Sequence, residues 1–219
     1  MVFVDSFPFM AGHLGLLISK TGEHLVLSAA AIAVAVAIGV PVGVLLGHAH
    51  RGGFVAISVS NVGRALPSLA LIAVGIGLLG LGFTNVLVAL VIMAVPPVLT
   101  NAYLAVEQID PDLVRAGRGM GLTGRQVLLR IELPLAVPLL FAGVRTAAVY
   151  VVGSATLASV AGGGGLGDII LRQASYGLPG VIAGALWVAV LALLADLAFL
   201  GLRRMLTPHG MRSRQAPVL

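Results

Sequence analysis

Hydrophobic residues run through this chain in long blocks, and the polar positions fall between them. Blocks of membrane-span length lie at roughly His24–Gly47, Phe54–Gly80, Thr84–Val106, Pro134–Val160 and Pro179–Leu202. Crossing a bilayer takes about 20 apolar residues of helix, so the pattern predicts an all-α membrane protein with about five transmembrane helices. Gly39, Pro41 and Gly43 are expected to bend the end of the first span. Arg64 and Pro67 interrupt the second, which reads as two pieces joined at a kink. Pro96-Pro97 should break the third, and the carbonyls freed there need partners, so that break should face protein or a polar cavity rather than lipid. Residues 1–22 are not a clean span. Phe3, Phe7, Phe9 and Met10 precede His13 and Lys20, which suggests an interfacial amphipathic segment, with a short extra helix as the alternative. The segment opens with Asp5 and no basic residue, unlike a secretory signal. Residues 23–206 then form the transmembrane domain, and 207–219 form a basic tail with two prolines that is expected to be disordered.

Composition agrees with the block pattern. The chain has 219 residues, 59% hydrophobic and only 10% charged, which excludes an ordinary soluble domain. It has no cysteine, and so no disulfide, thiolate metal site or cysteine nucleophile. The formal charge of +5 sits in loops. Arg51, then Arg115, Arg118, Arg125 and Arg130, then Arg203, Arg204, Arg212 and Arg214 share one side of the predicted topology, against Lys20 and Arg172 on the other. The positive-inside rule puts the N-terminus outside and the C-terminus in the cytoplasm. Nucleic acid is not an expected partner.

The longest stretch unlike a membrane span is Arg115–Pro134, inside a loop of about 110–133. Asp110 caps a helix that has Pro111 at its first position. Leu113, Ala116, Gly117 and Met120 follow at spacings of three and four, predicting one apolar face, with Arg115 and Arg118 elsewhere. Gly121 is a natural helix stop. Thr123 and Gln126 form a capping box for a second short helix with Val127, Leu128 and Ile131 on its apolar side, ending near Pro134. Gly117, Gly119 and Gly121 would let another backbone or a groove wall approach closely. By this physics alone the loop is either an amphipathic connector on the membrane surface or a docking element.

The same residues resemble the cytoplasmic loop of the ABC-importer permeases: Glu-Ala-Ala, three residues, Gly, nine residues, Ile, one residue, Leu-Pro. Here Arg115-Ala116-Gly117, Gly121, Ile131 and Leu133-Pro134 keep that spacing throughout. Arg115 stands where the family has Glu and Gly117 where it has Ala, so an ion pair made by that Glu is not carried over. The stretches Ala65–Ala70 (ALPSLA), Ile131–Ala136 (IELPLA), Ala142–Thr146 (AGVRT), Gly163–Asp168 (GGGLGD), Leu193–Asp196 (LLAD) and Leu206–Pro208 (LTP) are similar to the osmoprotectant branch, which carries glycine betaine, choline and carnitine. The methionine-importer branch shares the loop but fits the other stretches less well, and stays the alternative, as does another small polar solute.

The resemblance implies a type I ABC-importer permease fold with cytoplasmic coupling helices, in the cytoplasmic (inner) membrane of a prokaryote. It implies a coupling site at Arg115, Ala116, Gly117, Arg118, Gly119, Met120 and Gly121. Partners implied are a cytoplasmic ABC ATPase dimer, an external substrate-binding protein and a second permease subunit. The chain would be no enzyme and hold no cofactor; ATP and Mg would sit on the ATPase.

Other residues stand out within the apolar blocks. Asn101 and Tyr103 follow the paired prolines, and Arg145, Tyr150, Ser154, Thr156 and Asp196 make the last two spans unusually polar; these are candidates for the pathway or for helix pairing. Arg145 and Asp196 each lie about 10 Å inside the cytoplasmic end of their spans at 1.5 Å per residue, on helices running in opposite directions, which suggests an ion pair. Arg64 is a rival partner for Asp196. Gly162, Gly163, Gly164, Gly165 and Gly167 give the external end of the fourth span unusual freedom, as a gate, a binding-protein contact or a plain turn. They satisfy GxGxxG but follow a membrane span rather than a strand, so phosphate binding is rejected. Ser19-Lys20-Thr21 lacks the glycine of a P-loop, and Lys20 is the sole lysine. HExxH and GxSxG are absent, and the five histidines show no metal-ligand spacing.

Overall fold

The computed structural model describes residues 2–206, except the side chains of Val55, Val59, Arg64, Arg204 and Leu206. The basic tail and Arg64 as a partner of Asp196 therefore lie outside the described residues. The elements are α1 (Val2–Gly12), α2 (Leu14–His48), α3 (Gly53–Ala65), α4 (Ser68–Leu79), α5 (Phe83–Glu107), α6 (Pro111–Gly119), α7 (Gly124–Val127), α8 (Leu133–Ser154), α9 (Gly167–Leu171) and α10 (Gln173–Leu206). A π-turn, Leu128–Glu132, joins α7 to α8, and a 3-10 turn, Ala155–Ala161, follows α8.

By length and composition four helical runs can cross a membrane: Leu14–His48, Phe83–Glu107, Gly124–Ala161 and Gln173–Arg203. The pair Ala56–Gly63 and Ser68–Leu79, bent by 90° at the break that Arg64 and Pro67 predict, brings the number to five when it is counted as one broken span. Pro67 lacks the N–H that would carry the helix through and holds Leu66 extended (φ −71°, ψ 120°).

Three expectations are corrected. First, α2 starts at Leu14 rather than near His24 and runs 35 residues, while Val2–Gly12 forms the short extra helix given above as the alternative, packed on α10 through Phe9 and Tyr176. Second, Pro41 lies inside α2 and Pro96-Pro97 inside an uninterrupted α5. Tight packing holds these helices together: Pro96 is buried against Gly63, and the Asn101 side-chain amide donates to the Pro97 carbonyl at 2.8 Å. Third, α7 is not a free second helix. It runs through the π-turn into α8, so Pro134 falls inside a continuous helical run just past the π-turn rather than at a helix start.

The core is the contact of α2 with α5 and α8. Leu27, Ala31 and Ala35 of α2 meet Val86, Leu90, Ala94 and Val98 of α5 and Ala147 and Val151 of α8. Toward one end the approach becomes closer still. Gly39, Gly43 and Gly47 lie so near Val98, Leu99 and Tyr103 that a Cβ at Gly47 would sit 2.8 Å from the Tyr103 carbonyl oxygen. These glycines, read as a bend, are a packing surface. Small residues let backbones meet where lipid offers no hydrophobic drive between helices.

Ion pairs and backbone bonds identify the two ends of the bundle. At one, His48 meets Glu132 at 2.6 Å and His50 meets Glu107 at 3.0 Å, beside α6. At the other, the Gly82 N–H donates to the Ala161 carbonyl at 2.6 Å, and Lys20 reaches Asp168.

Candidate functional site

The Arg115 loop folds from its local signals. The Asp110 carboxylate accepts the Asp112 N–H at 2.9 Å, and Pro111 opens α6. Gly121 sits at φ +82° just past the helix, where only a residue without Cβ is unstrained. In the capping box, Thr123 N–H donates to Gln126 Oε1 at 2.9 Å and Gln126 N–H donates to Thr123 Oγ at 3.4 Å.

The face that α6 buries differs from the predicted one. Val114 and Gly117 turn inward, and a Cβ on Gly117 would meet Ile131 Cδ1 at 2.5 Å. Leu113, Ala116 and Met120 are exposed, Met120 by 75%. Gly117 thus seats α6 on the π-turn, while Gly119 and Gly121 have open space around them. Arg115 pairs with Asp112 one turn back on the exposed surface, and Arg118 is exposed as well.

Within the spans, Arg145 and Asp196 meet in a forked pair, with Nε to Oδ1 at 2.5 Å and an Nη to Oδ2 at 2.7 Å. Their side chains line a cavity of about 450 Å³ together with Ala142, Thr146, Val149 and Tyr150. Thr146 and Tyr150 also line a second cavity of about 550 Å³, with Ser60, Met93, Pro97, Thr100 and Asn101. Asn101, Arg145, Tyr150 and Asp196 are thus brought to one region. Tyr103 instead lies buried with Ala56 and Leu99, pairing α5 with α3. Thr156 bonds locally to the Gly153 carbonyl at 2.9 Å, and Ser154 ends α8.

At the other end, Gly162, Gly164 and Gly165 all have positive φ; Gly163 packs beside Val86, and Gly167 opens α9. This loop is fastened to α2. Lys20 Nζ donates to Asp168 at 2.8 Å and to Glu23 at 2.8 Å, and Glu23 accepts the Gly165 N–H at 2.8 Å. Ser159 donates to the other Asp168 oxygen at 2.7 Å, and Arg172 stands 3.5 Å away. Burial pushes the Asp168 carboxyl up, but the Lys20 and Ser159 bonds and the nearby Arg172 charge outweigh it and hold it below its ordinary value. These fastening residues were missed from the sequence. The only available sign was the sole lysine with Glu23 one turn on, and their partner is 148 residues away along the chain.

The Asp168 shift carries a pH prediction. A depressed native pKa means that the carboxylate's stabilisation is full above its unfolded value of about 3.9 and is lost as pH falls through the lower native value. Thermal unfolding in detergent should show the wild type above Asp168→Asn throughout pH 5–8, with the gap closing only below about pH 4. A gap unchanged down to pH 3 would overturn this.

Comparison with known proteins completes the description. The family model described as binding-protein-dependent transport system inner membrane component matches residues 39–208. A glycine betaine/carnitine/choline transport system permease protein of Bacillus subtilis (strain 168) is 39% identical over 209 residues, covering 93% of this chain and 94% of the relative. A choline transport system permease protein of the same organism is 40% identical over the same shares. An osmoprotectant import permease protein of Salmonella typhimurium is 35% identical over 95% of this chain and 100% of its own length. Among solved structures, an inward-facing methionine ABC transporter superposes with TM-score 0.77 at 25% identity, over 90% of this chain and 99% of the other. An amino acid ABC transporter solved with histidines gives 0.70 at 21% identity, over 90% and 96%; that likeness concerns the fold alone.

Proposed function

This chain belongs to the family of binding-protein-dependent transport system inner membrane components and is a membrane-spanning permease subunit of an ABC importer; from that premise we propose that its cargo is a quaternary-amine osmoprotectant such as glycine betaine, choline or carnitine. The observation that carries the cargo is the 39% and 40% identity to glycine betaine/carnitine/choline and choline permeases over 93% of the chain, against 25% to the methionine transporter. Uptake of labelled betaine, choline, carnitine and methionine, with the cognate binding protein present, tests it. Uptake of methionine alone would overturn it.

The two ends of the bundle support the following working arrangement. The His48, Glu107 and α6 end faces the cytoplasm, with the N-terminus outside, in the inner membrane of a prokaryote. The exposed Leu113, Ala116 and Met120 side of α6 docks an ATPase dimer, which holds and hydrolyses the ATP. A second permease subunit, of the same or a related chain, completes the pathway beside Asn101 and Tyr150. The glycine loop at Gly162–Gly167 faces the binding protein and acts as the external gate. Closure of the ATPases alternates access by favouring one arrangement of the bundle over the other.

Gly121→Leu tests the docking end. A branched side chain at φ +82° is strained by about 1–2 kcal/mol and spoils the helix stop. The variant should insert at normal abundance but lose ATPase association and uptake. Normal co-purification of the ATPase together with normal uptake would sink the idea.

A further inference from the structure

Glu132 is the unspecified residue of the loop pattern, between Ile131 and Leu133. It is only 1% exposed, and its partner is His48, whose Nδ1–H donates to Oε2 at 2.6 Å. Burying a carboxylate costs several kcal/mol that one bond recovers only in part, and an apolar side chain of similar size often serves stability better. The carboxylate also ends a π-turn, a departure from regular helix that is frequent at functional sites.

The connections on either side of the pair run in one direction. On one side, α6 sits on Ile131 through Gly117, and Ile131 is Glu132's neighbour in the chain. On the other, His48 ends α2, whose Gly39, Gly43 and Gly47 lie so close to α5 that an added Cβ would collide with it. His50 and Glu107 join the same two helices beside it at 3.0 Å. Apart from the chain itself, the His48–Glu132 bond is a direct polar link between the loop and α2.

We propose that Glu132 and His48 form the tie by which movement of α6 is delivered to α2 and, through the glycine surface, to α5. Both are positioning residues for transport, acting on the pathway through the helices that they join. The proposal rests on the reading that α6 docks the ATPase.

The test uses the full complex in proteoliposomes, with its ATPase and binding protein, and measures substrate moved per ATP hydrolysed. In His48→Ala this ratio should fall about tenfold, within the range of mutations that alter coupling between sites, while ATPase association and hydrolysis persist. Glu132→Gln keeps an oxygen that accepts from His48 and should retain most of the ratio. The double variant His48→Leu/Glu132→Leu removes the tie without leaving a buried carboxylate unpaired. It should regain the thermal stability that a single change loses, yet keep the low ratio. A purely structural pair would recover both together, so a wild-type ratio in the double variant, or in His48→Ala, overturns the proposal. Met120→Asp, on the exposed side of α6, is the separate control. If it leaves ATPase association intact, the docking reading fails; if it releases the ATPase while the tie variants couple normally, only the tie fails.

Discussion

Arg145→Asp and Asp196→Arg should each sharply reduce uptake and the amount of permease in the membrane, and the exchanged pair should restore much of both. Each single change sets two like charges face to face at a site where the native groups meet through two bonds of 2.5 and 2.7 Å. A charge that deep in a span costs roughly 3 kcal/mol or more without a partner, so the unpaired state is disfavoured. The side chains are partly exposed to a cavity, 32% and 26%, so water softens the penalty without removing it. The pair joins α8, which carries Tyr150, to α10 and so fixes the two helices relative to each other. Membrane abundance and initial uptake rates in the two singles and the double form a double-mutant cycle. A double variant as poor as the singles combined would show that each charge acts separately.

The second large effect falls on Gly43. Alanine there pushes its methyl group into the Leu99 carbonyl oxygen and toward Ala102 Cβ at 2.7 Å and Tyr103 N at 2.9 Å. Two of those three atoms are backbone and cannot swing aside, so α2 and α5 must separate. Overpacking of this kind costs about 1–3 kcal/mol, and leucine costs more. The sign of the effect is diagnostic, because alanine is favoured over glycine in a helix by about 1 kcal/mol. Gly201→Ala, where no atom lies within 4 Å of the added Cβ, should therefore leave thermal stability in detergent unchanged or raised, while Gly43→Ala lowers it. Equal behaviour of the two would mean that the α2–α5 approach does not limit stability.

The sequence by itself determined the membrane class, the break in the second apolar block and the caps of α6 and α7; it suggested the pairing of Arg145 with Asp196 while leaving Arg64 as a rival, and it counted five spans where four long helices and one bent pair stand. Each rests on information within one segment or on a strong constraint that needs no coordinates. Apolar length, a Pro that ends a helix, an Asp cap and the cost of a charge in lipid are all of that kind. Tertiary structure alone decided the rest. Pro96-Pro97 looks like a break in isolation, and only neighbouring helices hold it in a continuous α5. Gly39, Gly43 and Gly47 signal flexibility until α5 is laid against them. On α6, a periodic apolar face could not say whether Met120 or Val114 turns inward; Ile131 made that choice by leaving room only for Gly117. The two polar ties, Lys20 with Asp168 and His48 with Glu132, join residues 148 and 84 positions apart. Local pattern does not pair such residues with each other, because their interaction arises only when the fold brings the two groups together.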